Sequence, residues 1–149
     1  MHKEKDSVKY IKDKVKNYLE QYEIISFAVI FGSYASGKTS SKSDLDIGIY
    51  FSREIELLEL GKIITALEKI TCLKVDLIEL KNLFNRSPLL AYHVITNYKV
   101  IFVKDQDVLV NFKRLTFLNY FDTKQLRDAV NKAFYKRISE NKFGKRNYG

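Results

Sequence analysis

Val8, Ile11, Val15 and Leu19 recur at intervals of three and four, so residues 4–22 read as an amphipathic helix. Residues 24–31 form a compact apolar run closed by Gly32, the pattern of a buried strand. The next twelve positions, 32–43, are small and polar, which allows a turn, at most one helical turn, and a loop. From Asp44 the chain alternates. Leu45, Ile47, Ile49 and Phe51 point one way, and Asp44, Asp46, Gly48 and Tyr50 point the other. This is a strand with one packed face and one face left for solvent or chemistry.

Residues 54–70 are expected to be helical, with Leu57, Leu60, Ile64 and Leu67 on one stripe. Residues 74–80 read as a third strand and 98–103 as a fourth, with a short helix at 88–96 that carries Pro88 in its first turn. From 107 to about 142 the pattern is helical again. Two pieces are expected, broken near Asp122 and Thr123, with Thr123 as a cap. Phe112, Leu115 and Leu118 fit the first piece; Leu126, Val130 and Phe134 fit the second. The order predicts an α/β (α+β) protein: a small mixed sheet flanked by helices, residues 1–104, with a helical extension over 105–149 packed on that core as one domain.

Composition narrows this picture. The chain has 149 residues, 46% hydrophobic and 30% charged, which suits one folded domain with its own core. Its N-terminus lacks a signal-peptide pattern, and no apolar run is long enough to span a membrane. Cys72 stands alone, so an internal disulfide or a Cys-based metal cluster is excluded, and the residue is expected to be small and buried. A cytoplasmic protein is expected. The net charge of +8 favours an anionic partner. Eleven Lys and Arg against five acids leave +6 after residue 103, either a solvated helix face or a binding surface.

Candidate chemistry begins at Gly32 and can be spelled two ways. Residues 32–39 read Gly-x-x-x-x-Gly-Lys-Thr, a literal P-loop. A P-loop must feed a long helix whose first amides hold the phosphates. Here Ser40, Ser41, Lys42 and Ser43 follow, and a period-2 strand starts within a few residues. The alternative has its context. Gly32 permits close approach of a phosphate to the backbone, and Ser33 offers a hydroxyl and an amide. Ten residues later Asp44 and Asp46 stand two apart on a strand, which places both carboxylates on one face with Cα atoms about 6–7 Å apart. Asp76 lies in the next apolar strand, with Val75 and Leu77 turned inward. Three such carboxylates in one cleft repel by several kcal/mol, about 4 kcal/mol for a pair 4 Å apart, unless cations hold them. His93 has no ligand partner at suitable spacing. Tyr34 and Tyr50 flank the motif, where they either meet a base or cover the sheet edge.

Gly-Ser, ten residues, Asp-x-Asp and a later strand aspartate resemble the DNA polymerase β-type nucleotidyltransferase superfamily. The small size narrows the resemblance to minimal nucleotidyltransferases. The stretch 112–137, with Asn119-Tyr120-Phe121-Asp122-Thr123-Lys124 inside it, is similar to the C-terminal helices of the antitoxins paired with HEPN toxins. The resemblance implies transfer of AMP from ATP, with two Mg²⁺ ions, to a tyrosine of a partner HEPN ribonuclease in a hetero-oligomer. It maps Gly32 and Ser33 onto the triphosphate; Lys38 and Ser43 are further candidate nucleotide contacts. Asp44 and Asp46 map onto the metals, and Asp76 onto the metal nearer the acceptor. One departure stands out: family members often carry an arginine after Gly-Ser, where this chain has Ser36 and, beyond it, Lys38 or Lys42 to supply the charge. Rival readings are an adenylyltransferase for a small-molecule hydroxyl, an antitoxin acting by contact alone, and an RNA-binding protein. Direct nucleic-acid binding is the less favoured, because no RNA-binding module is recognisable.

Overall fold

A computed structural model describes residues 2–140, with side chains from residue 8. The expected helical residues 141 and 142 and the cations Lys142, Lys145 and Arg146 lie outside the described residues. The elements follow in the order α1 (His2–Leu19), β1 (Ile25–Phe31), α2 (Ser33–Ser36), β2 (Leu45–Phe51), α3 (Leu57–Thr71), β3 (Val75–Glu79), α4 (Leu83–Arg86), α5 (Pro88–Thr96), β4 (Tyr98–Val103) and α6 (Gln106–Ser139). The four strands form one mixed sheet in the order β3-β2-β1-β4. β1 runs antiparallel to β2 and β4, and β2 runs parallel to β3. Among the described residues no helix is long and apolar enough to cross a membrane.

β1 is apolar but for Ser26 because both of its faces are covered. Ile25, Ala28 and Ile30 belong to a core with α1 and α3; Phe27, Val29 and Phe31 belong to a second core with α5 and α6. A register shift between Ile25 and Phe27 resets the alternation, as a bulge does. The alternation of β2 falls as expected. Leu45, Ile47, Ile49 and Phe51 are buried in the first core, and Tyr50 faces the second, stacked on Phe27 at 5.3 Å.

The structure corrects the sequence in four places. α6 is one helix of 34 residues, not two. At about 1.5 Å per residue it is some 50 Å long. No Gly or Pro interrupts it, and Thr123 does not cap a new helix: its hydroxyl donates to the Asn119 carbonyl, 2.8 Å away. Asp105 caps the start by accepting from the amides of Asp107 and Val108. Leu109, Phe112 and Thr116 are buried, whereas Leu118, Leu126, Val130 and Phe134 are exposed. Cys72 is exposed rather than buried, because it ends α3 in the left-handed region (φ 57°) with its amide on the Glu68 carbonyl. Leu57, expected on the packed stripe, is 83% exposed; α3 starts there, before the stretch where Ile63 and Leu67 reach the sheet. The single turn α4 was not foreseen; Asn82, at φ 63°, opens it, and Leu83 pins it to the second core.

Candidate active site

β1 ends where β2 and β3 begin, so one edge of the sheet gathers the singled-out residues. In the strand register Asp46 lies between Phe31 of β1 and Asp76 of β3. Gly32 follows Phe31 directly, at φ 71° and ψ −147°. A Cβ built there would land on Asp46 Oδ2 and lie 3.2 Å from its Cγ, so the carboxylate occupies the space a side chain would need. Only glycine accepts both this backbone and this neighbour. The chain then makes a single helical turn, Ser33–Ser36, anchored in the first core by buried Tyr34 and Ala35. Gly37, left-handed at φ 78°, ends it, and the Lys38 amide donates to the Ser33 carbonyl at 3.0 Å. No P-loop helix follows.

Asp44, Asp46 and Asp76 are brought together. Burial, then the charges of Asp76 and Asp44, push the Asp46 carboxyl up from 3.8 to about 6. Asp46 thus feels the charge of both other aspartates. Among the described residues, however, no three His, Cys, Asp or Glu side chains stand close enough together to hold a metal ion by themselves. The two observations agree for a hard cation such as Mg²⁺. It prefers oxygen donors, keeps waters, and takes only one or two carboxylates together with substrate phosphates. Three aspartates on adjoining strands, with no Cys or His among them, fit that ion.

The remaining expected residues are placed less tightly. Ser43 Oγ accepts from the Ser40 amide at 2.8 Å and so closes the loop before β2. Lys38 is exposed on the same loop. Tyr34 lies in the core and Tyr50 packs on Phe27 and Phe112, so both rings have structural contacts. His93 is an exposed residue of α5. Two neighbours were not anticipated. Asn97, between α5 and β4, reaches the Gly32 carbonyl with its amide nitrogen at 3.5 Å. Lys113 of α6 sits 4.9 Å from the ring of Tyr98, which pairs with Phe31. Asn97 follows a helix end, a weak signal at best, and Lys113 is one lysine among many. A cavity of about 630 Å³ lies at the opposite ends of β2 and β3, lined by Phe51, Arg53, Glu79 and Lys81 among others; it holds none of the aspartates.

The family model for "Polymerase beta, Nucleotidyltransferase" matches residues 13–107, which span the sheet and all three aspartates. The chain belongs to the polymerase β nucleotidyltransferase family. It is thus a nucleotidyltransferase, and Mg²⁺ dependence is general for that family. Among its relatives are proteins of Methanocaldococcus jannaschii named as protein adenylyltransferases. The one designated MJ1379 is 43% identical over 84 residues, covering 52% of this chain and 80% of the relative. MJ1215 is 42% identical over 72 residues, covering 48% and 83%. The fold recurs in a solved structure of a tri-AMPylated Shewanella oneidensis HEPN toxin in complex with an MNT antitoxin. There the TM-score is 0.66 at 20% identity, covering 86% of this chain and 98% of the other. A toxin–antitoxin structure with AMP-PNP gives a TM-score of 0.63 at 20% identity, covering 86% and 98%. At such identities these two show that the fold is shared. The family model ends at the first turn of α6, whereas the structural likeness extends over most of the chain.

Proposed function

We propose that this nucleotidyltransferase moves AMP from ATP onto a tyrosine hydroxyl of a partner HEPN ribonuclease and thereby silences it. The observation that carries the reading is the placement of Asp46, wedged against Gly32 and flanked by Asp44 and Asp76. A nucleotide phosphate laid along Gly32 and Ser33 would meet the three carboxylates at once. Relatives named as protein adenylyltransferases support a protein acceptor, and the shared fold of the antitoxin complexes supports the toxin as that protein.

In this reading Gly32 leaves room for the triphosphate, and Ser33 offers its amide and hydroxyl. Lys38 and Ser43 lie on the loop that would border the phosphates. Asp44 and Asp46 would hold two Mg²⁺ ions, shared with Asp76 on the acceptor side; their charge would acidify the acceptor hydroxyl and stabilise the leaving group. The acceptor oxygen attacks the α-phosphorus in line, the bond to the bridging oxygen breaks, and pyrophosphate departs. Asp76 would also assist as the base that takes the hydroxyl proton. Residues 1–104 carry this chemistry, and 105–149 serve partner docking. The excess of cations after residue 103 would hasten encounter with an acidic partner.

Mass spectrometry of the co-expressed pair tests the reading. A partner tyrosine should gain AMP, with pyrophosphate as co-product, and Asp44→Asn or Asp46→Asn should abolish it. ADP as the product would restore the P-loop reading. An unmodified yet fully inhibited partner would make this a contact-only antitoxin.

A further inference from the structure

The middle of α6 and the adjoining face of α5 carry an aromatic cluster that the chemistry above does not use. Tyr92 of α5 stacks on Tyr120 of α6, with ring centroids 3.7 Å apart and planes 7° from parallel. Phe117 meets Tyr92 edge-on at 6.0 Å and stacks against Phe121 at 6.2 Å. Arg127 lies 5.5 Å from the centre of the Tyr120 ring. Phe117, Leu118 and Phe121 are 40%, 54% and 49% exposed. Rigid stacked rings, an arginine held over one of them, and open apolar neighbours are the composition of an interface hot spot rather than of a solvated helix face.

The cluster also borders the site. Tyr92 is five residues before Asn97 and Phe117 four after Lys113, about 6–8 Å along each helix. Asn97 touches the Gly32 carbonyl, and Lys113 covers the ring of Tyr98 beside Phe31. A partner resting on the rings would therefore reach the sheet edge where Asp46 lies. The same surface running on to Leu126 and Val130, both exposed, is too long for a nucleobase alone.

We propose that Tyr92, Phe117, Leu118, Tyr120, Phe121 and Arg127 form the seat of the acceptor protein, which brings an apolar patch with an acidic rim. This rests on the protein-acceptor reading above. Charge selects this occupant over a second copy of the chain. The sequence after residue 103 carries a net +6, and a copy-to-copy contact would set those cations, Arg127 included, against each other. In this arrangement the cations govern the rate of encounter, and the aromatic seat governs how long the complex lasts.

The test uses the full chain and the purified acceptor protein. Phe121→Ala, and separately Leu118→Ser, should raise the KM for the acceptor at least tenfold while kcat at saturating acceptor and the KM for ATP stay within twofold. Complex lifetime should shorten by a similar factor, whereas raising salt from 50 to 300 mM should slow association with little effect on lifetime. Each variant is first matched to the parent by thermal melting, and Leu118→Ser serves if Phe121→Ala folds poorly. An unchanged acceptor KM in both variants overturns the seat, as does a rise confined to the ATP KM, which would make the rings a base platform. Dimerisation of the chain alone, lost in these variants, would overturn it in favour of a second copy. If the parent protein modifies no acceptor at all, the protein-acceptor reading fails; the lifetime of the parent and variant complexes still decides the seat.

Discussion

Burial, and then the charges of Asp76 and Asp44, push the Asp46 carboxyl well above an ordinary aspartate. Its folded-state value, about 6, lies above the unfolded 3.8, so the proton-bound form is the stabilised one. That stabilisation is complete below pH 4 and is lost as pH rises through about 6. A shift of two pH units is worth up to about 3 kcal/mol. Water and salt screen a group this open, and about 1 kcal/mol is the portion expected to reach the fold. Asp46→Asn removes the charge at constant shape. The metal-free variant should therefore melt about 3 °C above the parent at pH 7.5, with the gap closing towards pH 4. Thermal melting in EDTA across that range measures it. Mg²⁺ with a non-hydrolysable ATP analogue should reverse the order, since only the parent gains a ligand. A variant that melts below the parent at pH 7.5, or a gap independent of pH, would refute the reasoning. The site would then be one that costs the fold nothing, and the coupling among the three carboxylates would be wrong.

Three further outcomes follow from single positions. Gly32→Ala places a methyl on the Asp46 carboxylate at a φ of 71°, so a loss of about 1–3 kcal/mol in thermal unfolding is expected together with loss of transfer. Thr116→Val removes a hydroxyl that is fully buried and has no hydrogen-bond partner among the described residues, so chemical denaturation should show a gain of up to about 1 kcal/mol. Thr123→Pro should lower the helical circular-dichroism signal and weaken acceptor binding while leaving the melting temperature within about 3 °C, because residues 124–140 are exposed and hold no part of either core.

The strands were legible because their residues answer to one rule, alternation against a flat face. Leu45, Ile47, Ile49 and Phe51 pack as their spacing demands, and the same period sets Asp44 and Asp46 on the other face. The register that puts Asp76 beside Asp46 was only implied, since parallel pairing depends on how α3 returns the chain. Where the packing partner is missing, the sequence misleads. Leu126, Val130 and Phe134 look like a core stripe, yet they stand exposed on α6, and the break near Thr123 was inferred from a residue equally able to bond back within a helix. Cys72 failed for a different reason. A helix needed an end, and the end required a left-handed residue that turned the thiol outward.

The glycine-rich stretch shows most clearly why spelling is not mechanism. In residues 32–39 both glycines adopt positive φ, and each has its own task. Gly32 clears the space that Asp46 enters; Gly37 stops α2 after one turn. A P-loop needs its second glycine to open a helix, whereas here the second glycine closes one. Lys38 then has no helix amides ahead of it with which to grip a β- or γ-phosphate, and the chain turns instead through Ser40 and Ser43 into β2. A phosphate laid along this edge would have the three aspartates as neighbours. Carboxylates repel a bare triphosphate and tolerate it only with divalent cations between them. The turn closed by Gly37 thus withholds the P-loop grip on a terminal phosphate, and a nucleotide held instead beside three aspartates would need divalent cations between them.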